Sequence, residues 1–146
     1  MEKYFYAKYT SFCKSLDSLS LAKARSLEDP FVLSGTIAKF SITFDIAWKI
    51  MKEIAEQYYG VSDFAKGSPR DVLRVAYSVN LITGDIWSQM LKSRNNAAHK
   101  YDDKEAYICA TLIVNKYIDK LFEFKDTVNR LDLEKPIEET TSFFKE

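Results

Sequence analysis

From Tyr107 to Leu131, the residues Tyr107, Ala110, Val114, Tyr117, Leu121, Phe124, Val128 and Leu131 recur at steps of three and four. That spacing lines one face of a helix and cannot line one face of a strand, whose side chains alternate. A second line, Ile108, Leu112, Ile118 and Phe122, lies beside the first. So wide an apolar face can serve both a core and a partner subunit. Similar steps mark Phe5, Tyr9, Phe12, Leu16 and Leu19, and again Ile37, Phe40, Phe44, Ala47, Trp48, Met51, Ile54 and Tyr58. With 4 Gly and 3 Pro in 146 residues, there is little material for the turns of an all-β fold. The reading is all-α: an antiparallel up-and-down four-helix bundle with an additional short helix.

The breaks are legible too. Pro30, after Glu28-Asp29, opens the second helix, and Gly60 closes it. Ser68 is an N-cap and Pro69 a first helical residue for a short helix with Val72, Leu73, Ala76 and Val79 on its apolar face. Thr83-Gly84-Asp85 ends it, and a further helix runs from Ile86 through Trp87, Met90 and Leu91. Residues 1–132 read as one domain, and 133–146 as a polar tail with Phe143 and Phe144 near its tip.

Cys13 and Cys109 do not make a disulfide framework, and two free thiols suit a reducing, cytoplasmic setting. Met1-Glu2-Lys3-Tyr4 lacks the apolar stretch of a secretion signal. No apolar run approaches the roughly 18 residues of a membrane span, so no membrane partner is expected. A formal net charge of zero argues against broad, charge-driven binding to nucleic acid, though not against a small basic site.

Such a site is suggested by Ser93-Arg94-Asn95-Asn96-Ala97-Ala98-His99-Lys100-Tyr101-Asp102, which holds the one histidine of the chain. No acid occurs from residue 90 to residue 101, where Lys92, Arg94 and Lys100 lie. Arginine, histidine and tyrosine together can bind a phosphate, move a proton near neutral pH and present a nucleophilic hydroxyl. On an unbroken helix His99 would lie about 140° from Arg94, so the two converge only if the helix ends between them. Asn95-Asn96 is a weak helical pair, and Asp102-Asp103 with Glu105 resembles a capping box for the next helix. The plainer alternative is that Arg94 and His99 satisfy helix-end carbonyls or pair with acids, and that Tyr101 is packed. Arg70 and Arg74, one turn apart, suit either a solvated face or an extension of a phosphate-binding surface. One His and two distant Cys give no metal spacing, and there is no Gly-rich phosphate loop. No metal or cofactor is expected.

Three blocks in order carry a family resemblance. They are Gly35 to Lys49 with its Ala47-Trp48-Lys49 end, Ser68 to Ala76, and Trp87 followed by Arg94-Asn95, His99 and Tyr101-Asp102. The last has the spacing Arg-x4-His-x-Tyr. Over about residues 30–130 the chain resembles the HEPN superfamily, in the nucleotidyltransferase substrate-binding branch related to HepT toxins. Ser41 and Val75 stand where that branch often has acids. The resemblance implies a cognate minimal nucleotidyltransferase, antitoxin-like, encoded beside this chain, and a homodimer whose motifs meet at the interface. It implies a metal-independent endoribonuclease with Arg94 and His99 as catalytic residues, silenced when the transferase adds AMP to Tyr101. RNA or nucleotide phosphates would meet Arg70, Arg74, Asn95 and Lys100. In the alternative reading, the chain is a non-catalytic substrate- or nucleotide-binding subunit of a two-component transferase. A third is a helical bundle used only for assembly.

Overall fold

The computed structural model describes residues 3–62, 67–97 and 102–133. Helix α1 spans Lys3–Ser20 and runs into a 3-10 turn, Leu21–Ala24. α2 spans Pro30–Glu53 and continues as a π turn, Ile54–Tyr58. α3 is Pro69–Ser78 and α4 is Ile86–Ala97. α5, Asp103–Leu112, passes through a second π turn, Ile113–Tyr117, into α6, Ile118–Arg130. Among the described residues the fold is five helical rods with no strand.

Local chemistry sets the starts. Asp29 accepts from the backbone N–H of Phe31 at 2.8 Å and of Val32 at 3.4 Å, with Pro30 as the first helical residue. Ser68 accepts from the N–H of Asp71, and Asp102 from that of Glu105 at 2.7 Å. Each caps donors that the first turn of a helix leaves open. Gly60 ends the second rod at φ +69°, where a side chain would be strained.

α2 is the central rod, packed against α1, α3, α4 and α5, while α1 also meets α6. Phe40, Phe44, Ala47, Ile50 and Met51 of α2 are buried in one core with Phe12, Leu16, Val72, Trp87, Met90, Leu121 and Phe124. Among the described residues one helix, Pro30–Tyr58, is long and apolar enough to cross a membrane by length and composition. Its uninterrupted apolar runs are short, because Lys39, Asp45 and Lys49 divide them. Its apolar face is the one buried in the core.

Two boundaries and one buried stripe differ from the sequence reading. α3 stops at Ser78, ahead of Thr83-Gly84-Asp85, because Asn80 adopts φ +62° and turns the chain early. α4 does not weaken at Asn95-Asn96 but carries both within the helix to Ala97. In the last rod Ile113 is fully buried and Val114 only half-buried, the reverse of the expected stripe. The π turn explains the exchange. Its wider turn takes more than four residues to go round, so Ile113, Tyr117 and Leu121 stay aligned at spacings of four. Of the expected polar tail, residues 133–146, Leu133 is buried against the core, and residues 134–146 lie outside the described residues.

Tyr9, Tyr59 and Tyr117 all ionise above the ordinary phenol value of 10.0, chiefly because burial penalises the phenolate. As pH rises past about 10 the unfolded phenols lose protons that the folded ones keep, so stability falls. Urea midpoints should be level at about pH 7 to 9 and drop at about pH 10.5. A midpoint that does not move in that upper window would contradict this.

Candidate functional site

The stripe Leu33, Ile37, Ser41 and Asp45 runs along one side of α2 at steps of four. With Arg94 and Ala97 of α4 and Asp103 and Ala106 of α5, it lines a groove of about 720 Å³. Most of the groove is apolar, and Asp45 and Arg94 put an ion pair in its wall.

The Arg94 guanidinium is held on two sides. Its Nε donates to Asp45 Oδ1 at 2.9 Å and its Nη2 to Asp45 Oδ2 at 3.3 Å. Nη1 donates to Asn95 Oδ1 at 2.9 Å. Trp48 Nε1 donates to the same Asp45 Oδ1 at 3.2 Å. A guanidinium has about five N–H donors in a rigid fork, so among the described residues these bonds leave one N–H on each Nη. Both side chains of the pair are 32% exposed, so the charges are partly screened by water. One residue before Arg94, the Ser93 hydroxyl lies 2.8 Å from the Tyr117 hydroxyl, whose ring stacks on Phe40 at 5.2 Å. Burial keeps the Tyr117 phenol protonated, with the Ser93 bond opposing that shift. The α4 turn that bears Arg94 is thereby tied to the second π turn.

His99, Lys100 and Tyr101 lie outside the described residues. Their flanks do not. Ala97 ends α4, Asp102 caps α5, and Ala97 and Asp103 both line the groove beside Arg94. Arg70 and Arg74 are elsewhere. They line a separate hollow of about 260 Å³ with Leu73, Tyr77, Ser88 and Leu91, and it shares no lining residue with the Arg94 groove. Arg74 pairs with Asp71 at 3.0 Å while 72% exposed, as on a solvated face. The expected acid pairing of Arg94 is realised, but by a residue that sequence reasoning did not assign. Asp45 lies within the Gly35 to Lys49 block, and its signal was an acid interrupting the largely apolar run Ile42 to Trp48, one turn after Ser41.

Among the described residues no group of His, Cys, Asp and Glu is arranged to hold a metal ion. The model of a family described as nucleotidyltransferase substrate binding protein-like matches residues 6–130. The chain belongs to that HEPN-like family. No curated protein matches it. The family match runs from α1 to the end of α6, so this substrate-binding-protein-like chain carries Asp45, Arg94 and both π turns inside the matched region.

Proposed function

We propose that this chain is the HEPN partner of a minimal nucleotidyltransferase and acts as a HepT-like, metal-independent endoribonuclease silenced by AMP on Tyr101. The observation that carries the reading is the junction at the groove. Arg94 sits in the wall, and Ala97 and Asp103, on either side of His99 and Tyr101 in the sequence, line the same groove. The four long rods form an up-and-down bundle with α3 as the added short helix, and residues 1–132 form one cytoplasmic domain.

Metal-free cleavage of RNA needs a base for the 2′-hydroxyl, an acid for the leaving 5′-oxygen and positive charge on the phosphorane. The 2′-oxygen attacks the adjacent phosphorus, the bond to the 5′-oxygen breaks, and a 2′,3′-cyclic phosphate remains. One imidazole cannot fill both proton roles at once. A homodimer brings two copies of His99, one for each role. The groove is lined by Leu33 and Ile37, and Phe31, Tyr107 and Ile108 on α2 and α5 are 90%, 47% and 52% exposed, an apolar supply for such an interface. Arg94 holds the phosphate through its remaining Nη donors, with Asn95 and Lys100 beside it in the chain. Arg70 and Arg74, in their own hollow, serve a more distant phosphate of a bound RNA. AMP on Tyr101, formed by attack of its phenol on the α-phosphorus of ATP with loss of pyrophosphate, adds an anion where RNA must lie.

A second reading is a non-catalytic subunit that presents substrate to the transferase. The Asp45 carboxylate on Arg94 and the zero net charge favour it, since both weaken attraction for RNA. Intact mass and RNA cleavage of the chain, expressed alone and beside its transferase, separate the two. The toxin reading expects one or more AMP masses at Tyr101 and loss of cleavage in the co-expressed sample. An unchanged mass with no cleavage in either sample leaves the subunit reading.

A further inference from the structure

Asp45 stands in the middle of α2, too far from the N-terminus to serve as a cap, and on the stripe that faces the groove. Its carboxylate accepts from Arg94 through Nε and Nη2 and from the Trp48 indole. A carboxylate on that edge of a guanidinium fixes the plane of the fork. With Asn95 on Nη1, one N–H on each Nη has no partner among the described residues and is left to an incoming anion.

We infer that Asp45 is the positioning residue for Arg94. It orients the guanidinium so that its Nη edge is the edge a phosphate meets, and Trp48 holds Asp45 in place. The inference rests on the reading of Arg94 as the phosphate-contacting group. It has a consequence that a merely structural ion pair lacks. Asp45 is an anion beside the seat of an anion, so it weakens phosphate binding while it improves alignment. Binding and turnover should therefore move in opposite directions when its charge is removed and its shape kept.

The test uses the full chain and its Asp45→Asn, Trp48→Phe and Arg94→Ala variants. Binding is read with a 2′-O-methyl oligoribonucleotide, which cannot be cleaved, and with 5′-AMP. Turnover is read on the matching unmodified RNA in EDTA. Asp45→Asn should bind the oligonucleotide about fivefold more tightly, from loss of one nearby negative charge. Its kcat should fall on the order of 10²-fold, from misalignment. Trp48→Phe should shift both in the same directions by less. Unchanged binding and turnover in Asp45→Asn would overturn the inference while leaving Arg94 its role. So would a parallel loss of both with a lowered melting temperature, which marks a pair needed only for the fold. If the wild-type chain binds neither probe, Arg94 has no phosphate to hold, and the reading and the inference fall together.

Discussion

On the proposed function, metal-free RNA cleavage is expected to fall on the order of 10²- to 10³-fold in the Arg94→Ala variant. The substitution removes the donors that would, on that reading, face the phosphorane, and it also strips Asp45 of the cation that occupies both its oxygens. The bared carboxylate then repels the phosphate it used to help align. The fold should tolerate the change, because an ion pair a third exposed contributes only about 0–1 kcal/mol. Arg94→Lys should recover little, since an ammonium keeps the charge but not the fork that Asp45 grips. His99→Ala should lower cleavage by about 10²- to 10⁴-fold, as loss of a general acid or base does. Combining it with Arg94→Ala should cost much less than the product of the two, because groups that act on one transition state are not additive. Single-turnover cleavage in EDTA measures each case, and Arg94→Ala cleaving within about threefold of wild type would refute its proposed role.

Phe124→Ala should destabilise the protein by about 3–5 kcal/mol. Phe124 is 2% exposed and meets Phe12 edge-on at 5.8 Å and Trp87 edge-on at 5.7 Å. It thus joins α1, α4 and α6 through ring contacts worth about 0.5–1.5 kcal/mol each beyond their buried area. Small domains have only about 5–15 kcal/mol of stability, so this variant sits near the edge of folding at 37 °C. Phe122→Ala, on a half-buried neighbour, should cost clearly less. Urea unfolding of the two variants decides the matter, and a Phe124→Ala loss of under about 1 kcal/mol would mean that these contacts are not the joint they look to be.

What could be read in advance divides along physical lines. The inward positions of α1 and α2 followed from spacing, because a helix that must bury one face writes that face at intervals of three and four. The caps Ser68 and Asp102, and the start at Pro30 that Asp29 caps, were legible because a cap is a contract between residues three apart or fewer. The early stop of α3 was not, since a left-handed Asn80 is one conformation among several that asparagine tolerates. The persistence of α4 through Asn95-Asn96 overrode a weak propensity, with Arg94 anchored to Asp45 and Ser93 to Tyr117 from outside the helix. The Asp45–Arg94 pair joins residues 49 apart in sequence, and no local pattern connects them. The separation of Arg70 and Arg74 from Arg94 has the same origin. A charge cluster in one dimension does not say which helix faces will meet.

The second π turn also bears on how the last rod can vary. A single extra residue in a turn shifts the sequence phase of everything beyond it by roughly 100°, so the buried line stays continuous while its spacing changes. The stretch from Asp103 to Leu112 packs on α2 and lines the groove, while Ile118 to Arg130 packs on α1 and the aromatic core. The rod works as two gears on one shaft, set apart by a one-residue spacer. Substitutions that re-aim the α5 half need not disturb the mesh of the α6 half. A groove built this way can change its lining without a rebuilding of the interior that supports it.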